Sequence, residues 1–67
     1  MHPLAFLEVY MIRVMVNGAG GKMGREVVKA VHNDPELTLV GGIDPTKAGE
    51  DVGSVAGIEQ LNIKMNA

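Results

Sequence analysis

The chain has no cysteine among its 67 residues. That excludes a disulfide framework, a thiol nucleophile and a cysteine zinc site. Small secreted domains usually need such staples, so a cytoplasmic protein is the expectation. No basic cluster is present either: the 6 Lys and Arg are scattered, the formal charge is −2 and the pI is near 5.5. Nucleic acid and acidic membrane surfaces both call for clustered cations, so neither is expected as a partner. No stretch approaches the roughly 18 uninterrupted apolar residues of a membrane span. There is no internal repeat and no low-complexity tract. The chain is also short, and a domain of this size buries only about 60% of the surface its unfolded form exposes, so its stability should be marginal.

Residues 1–10, M-H-P-L-A-F-L-E-V-Y, lack the basic start, the apolar core and the small-residue cleavage site of a signal peptide. They are expected to be an N-terminal extension, either of little consequence or an arm that lays Leu4, Phe6 and Leu7 on a neighbour. Met11 also suits a start codon, because Ile12 opens the first patterned element.

What the chain does have is glycine in one informative place. Ile12 to Val16 is nearly all apolar, the pattern of a strand (β1) covered on both faces, which favours a parallel sheet. It runs into Gly18, Gly20, Gly21 and Gly24. From Lys22 or Met23 to about Asn33 the period changes, and Met23, Val27, Ala30 and Val31 form one helical stripe. Pro35 stops the helix near Asn33, a residue that tolerates a left-handed cap. Leu37 to Ile43 reads as β2, and Asp44 closes it. A right-handed crossover sets Asp44 and the glycine turn at the same carboxyl edge of the sheet, where ligands bind. Pro45 to Gly57 reads as a loop with one helical turn around Asp51 to Val55, and Leu61 to Met65 alternates as a short β3 would. The fold class predicted is α/β, a partial Rossmann-like β-α-β unit with a parallel sheet, and residues 11–67 are read as a truncated NAD(P)-binding domain. A complete fold of that kind needs two βαβαβ halves, so the chain is expected to be a fragment.

The strict G-x-G-x-x-G fingerprint fails, because Met23 stands where the third glycine belongs. The variant with one more loop residue, G-x-x-G-x-x-G, is met by Gly18, Gly21 and Gly24. Gly18 suits a sharp exit from β1, Gly21 a backbone approach to a pyrophosphate, and Gly24 close packing of helix on strand. A Walker loop fails because Gly21-Lys22 is followed by Met23. The alternative for the turn is a tight strand-to-helix connection with no ligand. Context favours a cofactor, since Asp44 lies 20 residues after Gly24, about the spacing of a group that accepts from a ribose hydroxyl. An aspartate before proline is also a common turn residue. Candidate cofactor contacts are therefore Gly18, Ala19, Gly20, Gly21, Lys22, Met23 and Asp44. Lys22 fits a phosphate, including the 2′-phosphate of NADP, and equally a solvated helix-start lysine. Met15 and Met23 read as core, His2 and His32 as exposed histidines without metal or triad partners, and Asp34, Glu36, Glu50 and Glu59 as solvated carboxylates. No catalytic constellation and no metal site is visible.

Three segments together resemble the amino-terminal end of the dihydrodipicolinate reductases, also called 4-hydroxy-tetrahydrodipicolinate reductases. They are I-R-V-M-V-N-G-A-G-G-K-M-G-R-E-V-V (12–28), L-V-G-G-I-D (39–44) and G-E-D-V-G-S-V-A-G (49–57). The resemblance implies an NADPH- or NADH-dependent reductase of the diaminopimelate route to lysine, a cytoplasmic tetramer acting on the product of dihydrodipicolinate synthase. It implies that the turn from Gly18 to Met23 holds the pyrophosphate and Asp44 the adenosine ribose. Some members follow that acid with an arginine for the 2′-phosphate; here Pro45 stands there, with Lys22 or Lys47 as substitutes. The family's histidine-rich catalytic stretch, proton-donating lysine and substrate-binding, tetramer-forming sheet domain match nothing in these residues, so the fragment alone is expected to be inactive. Competing readings are the start of a homoserine- or aspartate-type dehydrogenase and a non-enzymatic βαβ binding or interaction module.

Overall fold

Strand, turn, helix and strand follow one another as the apolar periods require. β1 is Ile12–Asn17, α1 is Lys22–His32 and β2 is Leu37–Ile43, with β1 and β2 parallel neighbours. The structure is a computed structural model that describes residues 12–67. The predicted extension and His2 lie outside the described residues. Beyond β2 come a 3-10 turn, Pro45–Lys47, and the single helical turn α2, Val52–Val55, close to the turn the sequence suggests.

The core lies between the sheet and the two helices. Val16, Ala19, Val28, Val52, Ala56 and Met65 are buried together, with Val14 and Leu39 packed against them. Val28 and Val52 are wholly enclosed, and burial of such a side chain is worth about 1.5–3 kcal/mol relative to exposure. On α1 the buried residues are Gly24, Val28 and Val31, at i, i+4 and i+7. This corrects the predicted stripe: of its members only Val31 is buried, whereas Met23 is 78% exposed and Val27 and Ala30 also face outward. The reason is Gly24. A Cβ there would run into the carbonyl oxygen of Gly18, so its bareness lets the helix approach the strand exit on that line and turns Met23 away.

Three further expectations are corrected. β1 is covered on one face only among the described residues: Val16 is buried, but Met15 is 55% exposed and so is not core. The predicted strand Leu61 to Met65 is instead a meandering segment with two isolated bridges, Lys64 antiparallel to Asp51 and Asn66 parallel to Ile43. Asn62 breaks the extended run at φ 61°, and the N–H groups of Leu61 and Ile63 donate to the Asp51 carboxylate rather than to a neighbouring strand. Only at Asn66 does the chain reach the free side of β2, where Asn66 N–H donates to the Gly42 carbonyl and Asp44 N–H to the Asn66 carbonyl. Asn33 caps α1 in the right-handed region, φ −86°, not the left-handed one.

Candidate functional site

The pairing of β1 with β2 slips by one residue, so that Val14 faces Leu39 and Met15 faces Gly41, leaving Val40 as an extra residue. Side chains alternate along a strand, so one extra residue exchanges the faces of everything after it. Gly42 thereby points inward, where a Cβ would sit 3.0 Å from Ala19, Met65 and Val52 atoms. Asp44, two residues on, lies on the same side and reaches the glycine turn.

The turn is built from bare backbone. Gly18 has φ +74°, a region that suits glycine, and its N–H and that of Ala19 both donate to the Ile43 carbonyl, tying the exit of β1 to the end of β2. Ala19 is buried in the core. Gly20 N–H donates to Asp44 Oδ2 at 3.0 Å, and Gly21 N–H to the Gly18 carbonyl. Gly21 is the N-cap of α1 and offers no side-chain cap. Among the described residues, the N–H groups of Lys22, Met23 and Gly24 therefore have no acceptor. Three aligned donors at the start of an 11-residue helix, with only glycine before them, suit a phosphate group in both charge and space. The Met23 side chain lies away from the core, and its backbone belongs to this donor set.

Asp44 is nearly buried, at 9% exposure, and each oxygen of its carboxylate accepts at least one hydrogen bond within the chain. Oδ1 accepts from Thr46 N–H at 3.0 Å and from the Thr46 hydroxyl at 2.8 Å, while Oδ2 accepts from Gly20 N–H. The Thr46 hydroxyl and then the Thr46 N–H hold the carboxyl below its ordinary pKa against partial desolvation, with Gly20 and Lys47 adding to the effect. The turn-residue and ligand-contact readings of Asp44 thus share one geometry, because the Asx turn fixes where the carboxylate stands. Thr46 is a positioning residue that sequence reasoning missed, although D-P-T carries the Asx-turn signal. Arg25 is another, its Nε donating to the Gly21 carbonyl at 3.4 Å.

Other charged side chains gather elsewhere. His32 pairs with Glu59 at 3.2 Å on the surface. Among the described residues no three His, Asp or Glu side chains are grouped to hold a metal ion, and no helix is long and apolar enough to cross a membrane. Asp51, which the sequence marks only as the start of a helical turn, caps α2 and accepts from the N–H groups of Ser54, Leu61 and Ile63 and from the Ser54 hydroxyl. Desolvation raises its pKa, but the Leu61, Ser54 and Ile63 donors outweigh this and bring it from 3.8 to about 2.

A parallel β-α-β unit with a glycine turn and a carboxylate at its carboxyl edge is the opening unit of a Rossmann-like dinucleotide-binding fold. Residues 12–67 match the family model described as "Dihydrodipicolinate reductase, N-terminus", and the chain belongs to that family. It is 52% identical over 59 residues to the 4-hydroxy-tetrahydrodipicolinate reductase of Synechocystis sp., an alignment that covers 85% of this chain and 22% of that protein. It is 53% identical over 58 residues to the same enzyme of a Cyanothece strain, covering 84% and 21%. With the enzyme of Desulfitobacterium hafniense the identity is 44% over 54 residues, covering 81% and 20%. The chain thus spans about a fifth of the length of the curated relatives it matches.

Proposed function

We propose that this chain is the NAD(P)H-binding part of a 4-hydroxy-tetrahydrodipicolinate reductase, and that by itself it binds cofactor without turning substrate over. One observation carries the reading: the N–H groups of Lys22, Met23 and Gly24, without acceptors among the described residues, open onto a turn that glycine keeps free of side chains, beside Asp44. The pyrophosphate rests on the donors of the turn from Gly18 to Met23, and the adenosine ribose lies against Asp44. The identity to named reductases supports the same assignment. The bound nicotinamide supplies hydride; the residues of this chain bind the cofactor and orient it. Substrate contacts, proton donation and the tetramer belong to the other four-fifths of such a reductase, a cytoplasmic enzyme with a small-molecule substrate.

Titration of the chain with NADH and NADPH, followed by amide chemical shifts, tests this. Shifts confined to Gly18–Gly24 and Asp44 are expected. A folded spectrum that neither nucleotide perturbs would refute cofactor binding, and saturable reduction of the synthase product would refute inactivity.

A further inference from the structure

The last residue of β1 and the first of the turn are an asparagine and a glycine, Asn17 and Gly18. Asparagine is chemically labile, and most so before glycine, where no β-carbon shields the main-chain nitrogen that follows. The other asparagines of the chain, Asn33, Asn62 and Asn66, precede Asp34, Ile63 and Ala67. Asn17 is exposed and the place of a Cβ on Gly18 is open space, so crowding does not protect the pair. Hydrogen bonding does. Gly18 N–H donates to the Ile43 carbonyl at 2.7 Å, and Asn17 is paired with Ile43 at the end of the parallel ladder. The extended backbone of a strand also keeps the carboxamide carbon from closing on the nitrogen of the next residue. Ile43 is itself held on both sides, since Asn66 N–H grips the Gly42 carbonyl and the Asn66 carbonyl takes Asp44 N–H.

We infer that Asn17 and Gly18 form a site of spontaneous deamidation that the bond to Ile43 keeps locked, so that modification proceeds only through molecules whose junction of β1 and turn has opened. In the open form the Gly18 nitrogen loses its proton to solvent base and attacks Asn17 Cγ. The new N–Cγ bond closes a cyclic imide, and the Cγ–Nδ2 bond breaks to release ammonia, the leaving nitrogen taking up a proton. Water then opens the ring at one carbonyl or the other and leaves aspartate or isoaspartate; nothing is oxidised or reduced. Isoaspartate adds a carbon to the main chain between β1 and the turn, so that the N–H groups of Gly18 and Ala19 no longer converge on the Ile43 carbonyl. The opening is thereby made permanent.

The test is incubation of the full chain in mildly alkaline buffer, with and without denaturing urea, with peptide mass spectrometry of the amide-to-acid conversion at each asparagine. In urea Asn17 should convert ahead of Asn33, Asn62 and Asn66. In buffer its conversion should be at least about tenfold slower, the factor that an opening free energy of about 1.4 kcal/mol confers. Asn66→Pro, which lacks the N–H that grips Gly42, should convert faster than the parent at Asn17 in buffer and at the parent rate in urea. Equal rates for the parent chain in buffer and in urea overturn the lock, and an Asn17 that lags the other asparagines in urea overturns the labile site. An Asn66→Pro chain that converts no faster in buffer overturns the part given to Asn66.

Discussion

The two helix starts of this small unit are built in opposite ways. α2 begins at Asp51, whose carboxylate takes the Ser54 N–H and then reaches across to the N–H groups of Leu61 and Ile63. α1 begins at Gly21, which has no side chain to offer, and its first donors are left without an acceptor among the described residues. Both segments are rich in glycine and both lie close to an aspartate. The difference is where that aspartate points. Asp51 fills its own helix start and fastens the chain, so its role is complete within the protein. Asp44 fastens the flank of the turn through Gly20 and leaves the helix start open to an anion from outside. Glycine content alone does not separate the two; the accounting of N–H groups does.

Three substitutions break or sharpen this contrast. The largest effect on stability is expected from Gly24→Val. The new side chain meets the Gly18 carbonyl, α1 must lift from β1, and overpacking of this kind costs about 3 kcal/mol. In a domain this small, a urea melt should show most of the cooperative transition gone. Asp51→Asn comes next. Because the folded pKa of Asp51 is depressed to about 2 from 3.8, its contribution is fully present above about pH 4 and is lost as the pH falls toward 2. The parent chain should therefore lose stability over that window, and the variant should start lower at neutral pH with a flatter acid profile, measured by circular dichroism during acid titration. An unaltered profile would mean that Asp51 does not fasten the segment from Leu61 to Ile63. The smallest effect on stability belongs to Gly21→Asp, which converts the open helix start into a filled one. The extended backbone of Gly21, φ −78° and ψ 171°, admits an aspartate, and a Cβ meets only the Gly18 oxygen at 3.4 Å. A gain of a few tenths of a kcal/mol is expected, together with a loss of nucleotide affinity of at least about tenfold, since the carboxylate occupies the phosphate's place. Retained affinity would show that the helix start is not where the phosphate sits.

Much of the fold was legible because it rests on side chains that hydropathy sees. The apolar runs from Ile12 and Leu37, the glycines between strand and helix, and the position of Asp44 locate β1, α1 and β2. The role of Gly24 in close packing of helix on strand was legible from its place in the glycine pattern, but the buried face it leads was not, because hydropathy gives no weight to a residue whose effect is steric. The stripe through Met23 and Val27 is equally apolar, yet it sits one step around the helix from the line on which Gly24 permits contact. The one-residue slip at Val40 was also hidden, since an extra residue in an all-apolar strand leaves no mark on the pattern. At the end of the chain the alternation of Leu61 to Met65 was misleading. It reflects one-sided burial, with Leu61 and Ile63 half-buried, Met65 buried and Asn62 and Lys64 exposed, in a segment whose Leu61 and Ile63 N–H groups go to the Asp51 carboxylate and not to a strand.

The bond between Asp44 N–H and the Asn66 carbonyl, 2.7 Å long, sets the physical extent of the site. In the written sequence the motif ends at Asp44. In the folded chain its last residue is held by one 22 positions later, and Asn66 N–H in turn grips Gly42. The smallest transplantable piece is thus not the β-α-β segment that carries the glycines, but that segment together with its return to the sheet. Grafted into another protein without Asn66, residues 12–44 would keep the motif and lose the clamp that keeps Asp44 facing it.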